Sequence, residues 1–587
     1  MSAPDLSSKS GEHQQQPSHV IDSVGGSPRH SSSPSFKSNK SSDAVQVPET
    51  PKEVHWWHKD QLRETLRWSN IVPAFVTRCK DCLIPDLSNK PKNPFGLIFS
   101  LNHCQRLTFA AAWMAWMVDA IDFFGVSMTV TEIAKEFGKK SSDVTSAITV
   151  TLMLRPIGAL IFGVVADRYG RRIPLMVDLF LFTIIELCSG FANSLSTFIG
   201  LRAVFGICMG GEWGLGNALA METLPVESRG VFSGILQEGY ACGYLVAALI
   251  YYAVVPNLGW RAFYWISIIP AVATLILVWF VPETDVWKQN RVNVKAKNKR
   301  LYQQTLQMLK RHWLLCIYAI CLMAGFNFMS HGSQDLYPTF LKTQPKFSAE
   351  QATVATVVMN IGAIIGGSIL GYLSEYIGRR FTIIWACLIG LCFVPLWMLP
   401  RTFGLLVFGS FMIQIFVQGA WGVIPVHLAE LSPEGFRSTF PGLAYQLGNL
   451  IDASASQIEA SLGEKNPLPN GEPDYAKTQM TLLCIIFAVV AFLTFIGTEQ
   501  RAKDFSQELA AEEKEIDAND ESIYETKSVY SNDSRGSFGQ EIDEKGNDLD
   551  KISVISDGKD QKKSVNLKSS LRSPSTRSLK KQAPQQQ

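Results

Sequence analysis

The stretches GVVADRYGRR (Gly163–Arg172) and GYLSEYIGRR (Gly371–Arg380) stand 208 positions apart and share a leading glycine, an acid and a closing Gly-Arg-Arg. The same offset carries METLPVESRG onto AELSPEGFRS, so that Glu222 meets Glu430 and Arg229 meets Arg437. It also carries Gly211 and Trp213 onto Gly419 and Trp421. Three matches at one ungapped offset mark an internal repeat. Two similar halves are expected, 101–282 and 314–500, joined by a linker at 283–313.

The flanking sequence says what each half is made of. Of the 587 residues, 47% are hydrophobic and 18% charged, and the charge is concentrated at the ends and in the linker. Twelve apolar runs long enough to cross a bilayer are predicted at 107–130, 145–166, 173–193, 197–220, 231–255, 261–282, 314–340, 351–374, 381–399, 402–427, 438–460 and 478–498. The expected fold is an all-α membrane protein of twelve transmembrane helices in two six-helix pseudo-symmetric halves. A cytosolic enzyme and a small secreted domain are excluded. With 54 basic and 52 acidic residues, net +2, no nucleic-acid partner is expected.

An even number of spans puts both termini on one side. The linker carries Lys288, Arg291, Lys295, Lys297, Lys299, Arg300, Lys310 and Arg311, and the loops after spans 2 and 8 carry the arginine pairs. The positive-inside tendency places the linker and both tails in the cytosol. Residues 1–100 and 501–587 are Ser- and Lys-rich, lack a core-forming pattern and read as disordered, and residues 1–50 show no signal-peptide core. The tails read equally as regulatory segments, with Ser as phosphoacceptors and Lys as modification sites, or as solvated extensions. Trp56, Trp57 and Trp68 suit a membrane interface. Most of the 11 cysteines fall in spans, so no disulfide framework is expected, and Cys79-x-x-Cys82 lacks the second pair of a zinc site. No metal and no cofactor are expected.

Parallel repeats of six spans are the plan of major facilitator transporters, with substrate held between the halves. The GxxxDRxGRR loop and Arg202-xxx-Gly206-xxx-Gly210-Gly211-Glu212 resemble signatures of that superfamily. Asp167, Arg168, Arg171, Arg172, Glu222, Arg229, Glu375, Arg379 and Arg380 are expected to form a charge network that gates the cytosolic face. Positive-inside topology alone would also account for the arginines.

Ionisable residues within spans are costly and by default face a cavity or a partner. Arg155 lies mid-way in span 2. Its planar fork matches a substrate carboxylate, while Asp119 or Asp122 could instead hold it in a fixed ion pair. In span 7, Asn327, His331 and Asp335 recur every four residues and form a polar stripe. The 208 offset maps Asn327 onto Asp119 and Ser330 onto Asp122, so the polar positions of spans 1 and 7 are expected to face each other. A histidine changes charge in the physiological range, and Asp335 would provide a counter-ion. That suits a proton-coupled anion carrier; a hydrogen-bonded helix contact is the alternative. Gln446 in span 11 would either bond a small polar substrate or pack helices.

The stretch Asn327-xx-Ser330-His331-x-Ser333-Gln334-Asp335-xxx-Thr339 resembles the signature of the fungal Jen family of carboxylate/proton symporters. The resemblance extends over about 100–500 and includes the long tails. It implies a carrier, not an enzyme, at the plasma membrane, importing lactate, pyruvate, acetate or similar anions with a proton. It implies substrate contacts at Arg155, Asn327, His331, Gln334 and Gln446 and proton coupling at His331 and Asp335. It also implies a ubiquitin ligase and adaptor acting on the tails. Within the same family a dicarboxylate symporter is the alternative; a non-transporting nutrient sensor is another.

Overall fold

The computed structural model describes residues 92–289 and 301–505, apart from a few single positions, and a few residues between 76 and 85. Trp56, Trp57, Trp68, Cys82, the linker residues 291–300 and nearly all of both tails lie outside the described residues.

Twelve helical spans follow one another, with no strand among the described residues. Spans 1 to 4 are continuous: His103–Phe137, Ser141–Tyr169, Arg172–Ser189 and Leu195–Thr223. Span 5 is broken into Arg229–Gln237 and Gly239–Leu258, and span 6 into Trp260–Ile266 and Ile268–Phe280. Span 7 is Trp313–Gln334 followed by the short helix Tyr337–Thr343. Spans 8 and 9 are Ala349–Ile377 and Arg379–Met398. Span 10 is Phe403–Trp421 with Ile424–Leu431, span 11 is Thr439–Asp452 with Ala455–Lys465, and span 12 is Tyr475–Ile496. Ten helices among the described residues are long and apolar enough to cross a membrane. Spans 3 and 11 are not among them. Span 3 has 18 residues and includes Arg172, Asp178 and Glu186. Span 11 is divided and carries Gln446, Asn449 and Asp452.

The helices begin where local chemistry stops them from fraying. Asn102 accepts from the Gln105 amide at 2.8 Å while the Gln105 side chain accepts from the Asn102 amide at 3.0 Å. Ser348 and Gln351 repeat this capping box at the start of span 8. The linker also forms a helix that its charge pattern did not announce, Leu301–Arg311.

The repeat is visible as packing. A Cβ on Gly158 would lie 1.7 Å from the Ile207 carbonyl oxygen, and one on Gly366 would lie 2.1 Å from that of Ile415. Both members of the second pair are the 208-offset images of the first. Spans 2 and 4, and spans 8 and 10, therefore touch backbone to backbone, which only glycine permits. The halves meet through span 2 against span 11 and span 8 against span 5. The arginine-rich end, where residues 92 and 505 also lie, is called here the terminal face.

Candidate functional site

Two charge groups face each other between the halves. In the first half, Arg155 is buried. Its guanidinium lies 4.0 Å from Asp119, in contact with the Met209 sulfur and 5.2 Å above the Phe123 ring. Of the two acids proposed from sequence as its partner, the structure selects Asp119. Asp122 instead lies beside Glu186, which pairs with Arg202. Ser189 also accepts from Arg202 at 2.6 Å, and the Phe205 ring lies 4.1 Å from the guanidinium. Asp122 therefore turns into its own half and does not face span 7. The reason is the cost of a buried charge, which draws it towards Arg202.

In the second half, His331 Nδ1 is 3.3 Å from Asp335 and Nε2 is 3.7 Å from Asp452. The i, i+4 spacing supplied the first contact; the second comes from span 11. Asn327 is buried one turn away, and its amide nitrogen has no partner among the described residues. Gln334 turns away from His331 and donates to Gln414 at 3.0 Å. Gln414 and Gln418 bond Ser333 and Ser330 at 2.9 and 3.1 Å. These glutamines were missed by sequence reasoning, although QIFVQ places two amides one turn apart in an apolar span. Gln446 accepts from Asn449 at 2.9 Å, within its own helix.

Aromatic rings stand between the two groups. The Tyr445 ring lies 4.7 Å from Trp213, 6.0 Å from Trp421 and 6.1 Å from Trp116, which stacks on Tyr240 at 5.5 Å. Trp213 and Trp421 are repeat images of each other, so one tyrosine is held by equivalent rings of both halves. Across this layer Arg155 and His331 are close enough for like charges to oppose one another. The arrangement offers one buried cationic position, Arg155, and one half-buried, His331, each already beside carboxylates, with donors and rings between.

At the terminal face Asp167, Arg171, Glu222, Glu375 and Arg379, of the residues expected there, form ion pairs in two copies. Arg171 bonds Asp167 at 3.1 Å and Glu222 at 2.8 Å; Arg379 bonds Glu375 at 2.6 Å and Glu430 at 3.1 Å. Glu430 belongs to this set by the repeat alone. One acid of each copy also reaches into the opposite half. Asp167 accepts from the amides of Ser438 and Thr439 at 3.1 and 3.0 Å and from the Thr439 hydroxyl at 2.6 Å, capping span 11. Glu375 accepts from the Gly230 amide at 3.1 Å, at the start of span 5. Arg172 and Arg380 bond backbone carbonyls of Trp279 and Thr494 instead. One Arg168 nitrogen is buried without a partner among the described residues. Arg229 donates to the Lys503 carbonyl at 2.7 Å, and the guanidiniums of Arg229 and Arg437 lie 3.8 and 4.1 Å from the centre of the Phe505 ring. The first residues expected in the C-terminal tail therefore touch the network.

Residues 108–456 match the Major Facilitator Superfamily. The chain belongs to the Major Facilitator Superfamily. Within this superfamily, the chain is 36% identical over 482 residues to the carboxylic acid transporter protein homolog of Saccharomyces cerevisiae, covering 77% of this chain and 78% of that one. That relationship bears out the Jen resemblance read from span 7. The cis,cis-muconate transport protein of Acinetobacter baylyi is 26% identical, over 63% of this chain and 89% of that one. Among solved structures, the proton:xylose symporter XylE bound to 6-bromo-6-deoxy-D-glucose superposes with a TM-score of 0.56 at 18% identity, covering 69% of this chain and 98% of XylE. This likeness supports the superfamily fold.

Proposed function

We propose that this protein imports short monocarboxylates such as lactate and pyruvate with a proton across the plasma membrane, both tails being cytosolic. The observation that carries the proposal is the buried Arg155 guanidinium facing the His331, Asp335 and Asp452 group across the interface of the halves. In this reading Arg155 pairs with the carboxylate, Asn327, Gln334 and Gln446 orient it, and His331 with Asp335 carries the proton. Substrate carriers named for carboxylic acids and muconate among the relatives support the anion class.

The test is uptake of labelled lactate by cells lacking other carriers. Uptake should rise as external pH falls, because a proton enters with each anion. A protonophore should abolish accumulation. Uptake indifferent to the protonophore would leave a uniporter. A dicarboxylate substrate is the second reading, favoured by two cationic positions, Arg155 and His331, on opposite sides of the site. Succinate transported in place of lactate would establish it.

The duplicated network is proposed as the cytosolic gate, closed in this structure. Asp167→Asn weakens the cap on span 11 without touching the centre of the site. It should slow turnover several-fold while carboxylate binding to the purified protein stays within about twofold of wild type, since the amide keeps one of the two accepting oxygens and loses the charge paired with Arg171. Loss of binding in folded protein would contradict a gating role.

A further inference from the structure

Five buried carboxyls of the first half, Asp119, Asp122, Asp178, Glu186 and Glu212, share two buried guanidiniums, Arg155 and Arg202. Arg202 is taken by Glu186, and Arg155 by Asp119. Asp119 and Glu212 are each 1% exposed, and their carboxyls face each other. One oxygen of Asp119, one of Glu212, one of Asp178 and the Arg155 Nε have no hydrogen-bond partner among the described residues. Asp119 is faced by Arg155 from span 2, Asp178 from span 3, Glu212 from span 4, Tyr240 from span 5, Tyr445 from span 11 and Asp122 on its own helix. Arg155 is the only cation in that set. A second anion cannot enter beside Arg155 while Asp119 stays charged, because the surplus negative charge would be buried without a counter-ion.

We propose that Asp119, seconded by Glu212, binds the proton taken up when a substrate carboxylate engages Arg155. The exchange balances. The Arg155–Asp119 pair separates, the guanidinium pairs with the incoming carboxylate, and the freed Asp119 oxygen takes one proton from the external solution, relayed by water admitted with the substrate. The resulting acid and Glu212 share a hydrogen bond. When the substrate leaves, Asp119 gives up that proton and re-forms its pair with Arg155. The first half thereby contains a proton site of its own, separate from His331 and Asp335. This rests on Arg155 receiving the substrate, as proposed above.

The test is titration calorimetry of the purified full-length protein with lactate, and separately with succinate, in buffers of different ionisation enthalpy. Protons taken up per bound anion are read from the buffer dependence. Asp119→Asn should take up about one proton fewer than wild type, and its affinity should vary less steeply with pH. His331→Gln should keep the Asp119-linked uptake, whatever its affinity. Unchanged uptake in Asp119→Asn, or uptake lost only in His331→Gln, overturns the proposal and leaves the transport reading standing. Wild-type protein that binds neither anion overturns the transport reading itself. A measurement on wild type guards against a misfolded variant. Infrared difference spectra on adding isotope-labelled lactate should gain a protonated-carboxyl band, and its absence overturns the proposal.

Discussion

Replacing Arg155 by lysine should depress lactate uptake nearly as far as replacing it by alanine. Losing one member of a desolvated, hydrogen-bonded charge pair costs about 2–5 kcal/mol, or roughly 30-fold to several thousand-fold in affinity. Lysine keeps the charge but not the planar fork, and a carboxylate held in two-pronged fashion needs the fork. The present surroundings of Arg155 are poor for a purely structural residue. Asp119 is 4.0 Å away, the remaining neighbours include a thioether and a phenyl ring, and Nε has no hydrogen bond among the described residues. A structural pair would give a different pattern. Arg155→Lys would then be mild, and Arg155→Ala combined with Asp119→Asn would recover more uptake than Arg155→Ala alone. Uptake by all four proteins, normalised to the amount at the cell surface, decides between them.

The largest loss of stability is expected from Arg379→Ala. Arg379 is fully buried and donates to Glu375, to both oxygens of Glu430 and to Ser374 at 2.6–3.2 Å. Its removal leaves two carboxylates buried without their cation, and breaking such a group costs about 3–5 kcal/mol. The variant should be nearly absent from the surface, and in detergent it should lose monodispersity at a temperature well below wild type. Arg379→Ala with Glu430→Gln removes one charge from each side and should recover part of the loss. A single variant that melts with wild type would show that the acids find other partners.

Much of the architecture was legible because the repeat constrains it. One offset in the sequence located the paired glycines of spans 2 and 8, the two arginine–acid groups and the tryptophans on either side of Tyr445. The spans were legible because a bilayer demands long apolar runs. Two things were hidden for a physical reason. The presence of an acid in a span says that it needs a partner, not which way it turns. Asp119 and Asp122 are three residues apart, yet one faces Arg155 and the other lies with Glu186 beside Arg202. The third partner of the span-7 stripe, Asp452, was equally out of reach, since no spacing relates span 7 to span 11. The break at Glu238 in span 5 was also silent, whereas that at Ser267 in span 6 was signalled by Pro270, which has no N–H to donate to the Ile266 carbonyl.

The exchange of caps across the halves sets an energy scale. Asp167 of one half closes the start of span 11 in the other, and Glu375 returns the favour at span 5. Neither half holds a complete set of helix ends alone, so separating them leaves donors at two helix starts to be satisfied by water. Caps of this kind are worth about 0.5–2 kcal/mol each. Two of them bias the shut arrangement by roughly fivefold to a thousandfold. If the network gates the cytosolic face as proposed, a bias of that size would keep leakage low while leaving opening within reach of domain motions on the microsecond to millisecond scale. A much stronger pair of caps would trap the molecule in one orientation, and a much weaker pair would let the inside and outside of the membrane communicate.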